Sequence, residues 1–384
     1  MLGTTDAFGL LQAAFALRCY GRMLGGAAGD PIPAKTLVPP ATGRASAIVP
    51  VLDERARLGP CLAGLSAQPD ALERIIVVDG GSTDGTRELV RDFAARDPRI
   101  VLVDAAPVPA TWNGKAWGLR CGLAATDPTG DWILTIDADV RPAETLVTSL
   151  LAFAADAHLD AFSAAPRFTV GDAGQGMLHP ALLATLVYRR GLPGGVARTT
   201  TDVQANGQCF LARRAALVET AAFDAARTSR CDDVTIARTL VAAGKAVGFF
   251  EGDGLATVEM YDSLRGCWQN WPRSLGLADP FVSRAGLALA LSEVALVQAL
   301  PLAVVAMLAL RGRTDSNLFA LNRALLIARL AVLAGMRRAY ATVPATYWLA
   351  PLADLPALGA IVAALLDDAP TWRGRPLVRE QVSA

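Results

Sequence analysis

Histidine is almost missing: only His158 and His179 occur in 384 residues. Two imidazoles do not furnish the usual zinc cage, and no C-x-x-C pair makes up for them. The six cysteines (Cys19, Cys61, Cys121, Cys209, Cys231 and Cys267) are scattered along the chain. Unpaired thiols suit a reducing compartment, so the bulk of the protein is expected in the cytoplasm. An excess of either charge is missing too, with 36 basic and 36 acidic residues and a net charge of zero. No global field therefore argues for nucleic acid as a partner. Charge of any kind is sparse at 19%, against 53% hydrophobic residues. A mean hydropathy of +0.35 is too apolar for an ordinary soluble enzyme. The length leaves room for one large catalytic domain and something more.

The first apolar run covers residues 7–17. It falls short of the roughly 20 residues a bilayer span needs and lacks the basic start and cleavage site of a signal peptide. It reads as an interfacial helix with Arg18 and Arg22 at headgroup level, the alternative being a soluble packing helix. Pro31, Pro33, Pro39 and Pro40 mark a linker up to residue 45. From residue 46 strand and helix patterns alternate, with strands expected over 47–51, 74–79, 100–104, 132–137 and 161–165. Such alternation predicts an α/β domain, a mostly parallel sheet with helices on both faces. Ligands of such sheets bind beyond the carboxyl ends of the strands.

The informative residues follow those ends. Trp132-Ile-Leu-Thr-Ile-Asp137-Ala-Asp139 is an apolar run closing on two carboxylates. Residues at i and i+2 of a strand share a face, so both acids could hold one hard cation, Mg²⁺ or Mn²⁺, that bridges to phosphates. A strand-end turn with two solvated acids is the plainer alternative. Asp53 and Glu54 follow the first strand, and Asp79-Gly-Gly-Ser-Thr-Asp84 follows the second, with Ser82 or Asp84 placed to cap the next helix. Asp79 could accept from a ring N–H or a ribose hydroxyl, or cap its own loop. Lys115 opens a helix, where ammonium and helix terminus both favour a phosphate, unless it is simply solvated. Asp232 and Asp233 begin a later helix and could cap it, or one could take a proton from an acceptor hydroxyl.

Together "VPVLDE", "VVDGGSTDGT", "WNGKAWGL" and "TIDADV" resemble the family 2 glycosyltransferases, over roughly residues 46–275. The resemblance implies the GT-A fold, a Rossmann-like mostly parallel sheet, with a nucleotide-diphospho-sugar donor (a UDP-sugar), a divalent metal and inversion of the anomeric carbon. It implies that Asp53, Glu54 and Asp79 hold the nucleoside and that Asp137 and Asp139 supply the metal ligand, Asp139 more directly. Relatives usually carry asparagine where Asp53 stands. Gly207, in a strand entered over 205–211, matches the acceptor segment, and Asp233 matches the catalytic base, with Asp232 in place of a glutamate. Trp271 and Arg273 match a degenerate Gln-x-x-Arg-Trp motif. An indole there could stack on a sugar or line an acceptor channel and an arginine hold diphosphate, or the segment could anchor to lipid.

Beyond residue 280 the composition turns apolar. Residues 286–310 and 344–366 read as membrane spans. The stretch 318–338 carries Arg323, Arg329, Arg337 and Arg338, and a central arginine is costly in a bilayer, so it reads as interfacial. The basic tail Trp372-Arg-Gly-Arg375 then stays on the catalytic, inner side. This layout is similar to membrane-bound members of the family associated with carotenoid and hopanoid lipids, which implies a lipid acceptor, such as an isoprenoid alcohol or acid, at the inner membrane. A polysaccharide or polyprenyl-phosphate-sugar synthase is the runner-up enzyme. A catalytically dead scaffold of the same fold is the non-enzyme alternative, and retention of both Asp pairs speaks against it.

Overall fold

In the computed structural model residues 4–26, 29–36, 42–367, 371–372 and 375–378 are described. Pro39 and Pro40 of the expected linker and Arg373 and Gly374 of the tail motif lie outside them. Among the described residues the strands up to residue 258 are β1 (Ala45–Val51), β2 (Leu72–Asp79), β3 (Ile100–Asp104), β4 (Trp132–Ile136), β5 (Val140–Pro142), β6 (Ala161–Ala165), β7 (Arg167–Phe168), β8 (Gly195–Val196), β9 (Cys209–Arg213), β10 (Val247–Glu251) and β11 (Ala256–Val258), with a separate pair, Thr371–Trp372 and Arg375–Pro376, after the apolar helices. The main sheet has the order β3-β2-β1-β4-β9-β6-β10-β8, and β5-β11-β7 form a small second sheet. Strands β3, β2, β1 and β4 are mutually parallel, as are β6 and β10. Strand β9 runs antiparallel to both β4 and β6 and joins the two halves.

Both sheet faces are buried, which is why β1, β2 and β4 are nearly continuous apolar runs. Val49, Val77 and Leu134 belong to one core cluster, with the helices Arg55–Ser66 and Leu146–Asp156. Ile48, Ile76 and Ile133 belong to the other, with Gly114–Ala124 and Asp232–Ala242. The helix Gly114–Ala124 comes so close to β1 that a Cβ on Gly122 would lie 2.4 Å from Ile48 Cγ2. That approach fixes the distance from Lys115 to the strand ends.

Two of the boundaries that differ from those the sequence predicts bear on the site. Strand β4 stops at Ile136, so a turn carries Asp137 and Asp139, not a strand face. Strand β9 starts only at Cys209, because Asn206 and Gln208 satisfy each other locally: Asn206 Oδ1 accepts from Gln208 N at 2.9 Å, and Asn206 Nδ2 donates to Gln208 Oε1. The segment 205–208 is thus a turn at the mouth of the sheet.

Three C-terminal helices are long and apolar enough to cross a membrane by length and composition: Arg284–Leu310, Asn317–Ala339 and Ala345–Leu366. The middle one is the stretch expected to lie at the interface. Its central arginine is neutralised within the helices: Arg329 is buried and gives Nε and Nη2 to both carboxylate oxygens of Asp354, at 2.8 and 2.9 Å. Gln298 from the first of these helices donates to the same carboxylate at 2.7 Å. The N-terminal helix is Thr4–Gly25, twice the length read from the apolar run alone. It docks on the C-terminal helices through reciprocal Gln12–Asn322 hydrogen bonds and through Arg18 and Arg22 on buried Glu293.

Candidate active site

The carboxyl ends of the strands open into one cavity of about 1010 Å³. Asp53, Glu54, Lys115, Asp137, Asp139, Gly207, Asp232, Asp233, Trp271 and Arg273 all line it. Asp79 does not. Its carboxylate is fully buried, accepts from the backbone N–H of Gly81 and Ser82, and is paired with Arg87 at 3.2 Å. It shapes the glycine loop from beneath, the plainer of its two sequence readings. Neither capping candidate is the N-cap, which is Gly85; Asp84, one residue earlier, accepts from Thr86 N at 3.0 Å and from Arg55 N of a neighbouring helix at 3.0 Å. Ser82 Oγ accepts instead from Asp53 N. Asp53 sits in the left-handed region at φ 52°, with Oδ1 accepting from Thr83 N at 2.8 Å. Asn and Asp are the side chains that tolerate that backbone, so the exchange of asparagine for Asp53 is a mild one.

Lys115 stands at the centre. Its ammonium lies 2.9 Å from Asp137 Oδ1 and 3.8 Å from Asp232. Burial works to lower its pKa, but Asp137, Asp232 and Asp233 outweigh burial and raise it. A solvated lysine is therefore ruled out. Gly207 is the gap that permits this: a Cβ there would lie 3.0 Å from Lys115 Nζ and 3.2 Å from Asp233 Cβ. Asp233 Oδ2 accepts from Gly207 N and Oδ1 from Val234 N, both at 2.9 Å. Asp233 thus ties the turn 205–208 to the start of its own helix. Burial, reinforced by Asp232, pushes its carboxyl up to about 6.

Across Lys115 the acids are crowded. Burial and the neighbouring Asp137 push Asp139 up to about 7. Glu54 is also pushed up to about 7, by burial first, and Arg57 at 3.0 Å only partly offsets it. Asp139 Oδ1 is buried without a hydrogen-bond partner. An orphaned carboxylate oxygen among carboxyls of raised pKa is what a bound cation would satisfy. Among the described residues no group of three or more His, Cys, Asp or Glu forms a ready metal cage. A cation here would share its remaining ligands with substrate and water, as Mg²⁺ commonly does.

Arg57 is a cavity residue the sequence reading missed, although its i,i+3 spacing from Glu54 at a helix start was a signal. Arg230 is another. It donates to the carbonyls of Ala364 and Asp367, contacts that only the folded chain shows. Arg273 donates to the carbonyl of Thr371. Trp271 is buried, its ring 4.2 Å from that of His179, so it serves the cavity wall and not a lipid anchor. Trp268, three residues earlier, is the exposed indole.

Residues 46–220 match the model of "Glycosyl transferase family 2". Over that stretch the chain resembles the family 2 glycosyltransferases. Among curated proteins the chain is similar to the succinoglycan biosynthesis protein ExoA of Rhizobium meliloti, 33% identical over 120 residues, 28% of this chain and 33% of that protein. It is also similar to a 4,4'-diaponeurosporenoate glycosyltransferase of Staphylococcus haemolyticus, 33% identical over 96 residues, 25% of this chain and 24% of that protein. The chain thus spans a third or less of the length of these relatives. Among solved structures, the mannosyltransferase PcManGT of Pyrobaculum calidifontis, in complex with GDP-Man and Mn²⁺, superposes with a TM-score of 0.52 at 18% identity. The match covers 94% of this chain and 98% of that one and shows a shared GT-A fold.

Proposed function

We propose that the protein transfers a sugar from a nucleotide-diphospho-sugar to a lipid acceptor at a membrane, with inversion at the anomeric carbon. The observation that carries this is that one cavity is lined both by Glu54, Asp137 and Asp139 and by apolar side chains: Leu183, Leu186 and Val187 of the helix Ala173–Arg190 and Met336 and Ala339 of the middle apolar helix, with Arg190 and Arg338 beside them. A polar donor fits one end and a hydrocarbon chain arriving between apolar helices fits the other.

Asp53 and Glu54 border the nucleoside and Asp79 shapes its loop from below. Asp139, with Asp137 beside it, would hold Mg²⁺ or Mn²⁺, which supplies positive charge against the leaving diphosphate. Lys115 balances Asp137 and turns to phosphate when the donor enters, with Arg273 as a second cation. On the acceptor side Asp233 takes the hydroxyl proton as the new C–O bond forms and the nucleoside diphosphate departs. A carboxyl near 6 is ionised at neutral pH yet basic enough to accept a proton in flight. Gly207 and Asp232 border that step, and Trp271 backs it. The relative named for diaponeurosporenoate supports an isoprenoid acceptor. The expected UDP-sugar stands beside the GDP-Man of the similar mannosyltransferase structure, so the donor is to be found by a panel. The three apolar helices support membrane association, and the basic tail, which returns to the catalytic domain, supports a placement on the inner, cytoplasmic side.

The test is a mass-spectrometric comparison of lipid extracts from cells with and without the gene. A glycosylated lipid present only with the gene is expected. Unchanged lipids together with a lost polysaccharide would favour the second reading, a polymer-forming enzyme, to which the succinoglycan relative points.

A further inference from the structure

The described C-terminal residues do not lead away from the last apolar helix. Thr371–Trp372 pairs antiparallel with Arg375–Pro376, and this short hairpin lies over the donor half of the cavity. It touches that half at three places. The carbonyl of Thr371 takes the hydrogen bond of Arg273. The guanidinium of Arg375 lies on the glycine loop above Asp79, where a Cβ on Gly80 would sit 3.7 Å from Nη1 and one on Gly81 3.4 Å from Nη2. The N–H of Val378 donates to Asn113 Oδ1 at 2.8 Å, directly before Gly114 and Lys115.

Arg375 closes a slot between the ends of β1 and β2 and the helix Gly114–Ala124. Its walls are Pro50, Leu52, Val78, Gly80 and Gly118, a set of small and flat surfaces suited to a planar ring. Pro50, Gly114 and Lys115 also line the main cavity, so the slot continues the donor site away from Asp137 and Asp139. On the nucleotide-sugar reading, the phosphates face the acids and the base lies in this slot. With Arg375 in place its free volume is about 10 Å³, room for one water and far too little for a nucleobase. A guanidinium is itself planar and cationic, and a carbonyl oxygen on Arg273 takes the place of a phosphate oxygen.

We propose that the C-terminal tail is a plug that competes with the donor: Arg375 occupies the nucleobase slot, Thr371 occupies Arg273, and both leave when the nucleotide enters. The proposal rests on the nucleotide-sugar reading above. Donor affinity is then reduced by the fraction of molecules with the tail seated. Emptying the slot also frees the segment that follows the helix Ala350–Leu366, so donor occupancy is felt at the apolar helices.

Calorimetry on the full-length protein in detergent, with UDP and GDP in Mn²⁺, tests this directly. Arg375→Ala is expected to bind whichever nucleotide the wild type binds about fivefold or more tightly, and Arg375→Lys less so. Hydrogen exchange at 371–378 should rise when that nucleotide is added. Equal or weaker binding by Arg375→Ala, or slower exchange in the tail on nucleotide addition, overturns the plug and leaves the donor reading standing. Binding of neither nucleotide to wild type or variant overturns the donor reading, and the plug with it.

Discussion

At the scale of single residues, the cavity sets Asp233 and Asp139 apart by what each lacks. Asp233 is hydrogen-bonded on both oxygens and has a raised pKa, whereas Asp139 keeps one buried oxygen with no partner. Asp233→Asn retains one acceptor of the two and cannot take a proton. Its kcat should fall by roughly 10²–10⁴ with little change in donor affinity, and Asp232→Asn should be milder. Comparable turnover in both variants and wild type would move the base elsewhere. Because the base must be ionised, kcat of the wild type should fall as pH drops below about 6, the value to which burial raises Asp233; a pH–rate profile flat to pH 5 would count against it. Asp139 also leaves a signature in stability. Its folded pKa is raised to about 7, so the metal-free fold gains from its protonation at low pH and loses that gain as pH rises through 7. Asp139→Asn should therefore stabilise the metal-free protein at pH 8, by on the order of 1 kcal/mol, and abolish metal-dependent donor binding. A lower melting temperature without metal would contradict this. Most of these residues could be singled out from sequence because Asp137 and Asp139 follow a strand end and Asp232 and Asp233 open a helix. The role of Asp79 was not legible, since its motif is equally that of a loop organised from within, and only its burial separates the two.

At the scale of elements, the helix Asp232–Ala242 is held by an ion pair with no exposure on either side, Arg238 with Asp279. Arg238 also donates to the carbonyl of Thr200, and Thr235 Oγ1 reaches Asp279 at 3.3 Å. These contacts fix the helix that presents Asp233 to the segment entering the first apolar helix. Arg238→Met strands a buried carboxylate and should cost roughly 3–5 kcal/mol, whereas pairing it with Asp279→Leu should recover much of the loss. Thermal melts of the single and double variants check the pair, and additive losses would deny the coupling. The alternation of strand and helix patterns made the parallel core legible. A strand at β9 was expected over 205–211, but its antiparallel direction and its start at Cys209 were not legible, because a turn of polar residues sets that start; nor was the small β5-β11-β7 sheet, whose strands are short. The pairing of Arg329 with Asp354 is the same kind of information, since the sequence shows the cost of an arginine but not the partner 25 positions away that removes it.

At the scale of the whole molecule, the sheet supplies a polar half-site and the C-terminal helices supply an apolar one, and the cavity joins them. Composition announced both halves, through an excess of apolar residues and a balanced charge. It did not announce that the chain's end returns to the donor side, because the contacts of Arg375 and Val378 span the length of the fold. The account stands or falls on where the sugar goes. The decisive measurement incubates the purified full-length protein with Mn²⁺, an apolar lipid extract and a panel of radiolabelled nucleotide sugars, then counts label in the organic phase. The account predicts that one donor labels the organic phase, that chelation of the metal stops it, and that Asp233→Asn slows it by roughly 10²–10⁴. Label that remains wholly aqueous with every donor, or transfer at the wild-type rate by Asp233→Asn, would contradict it.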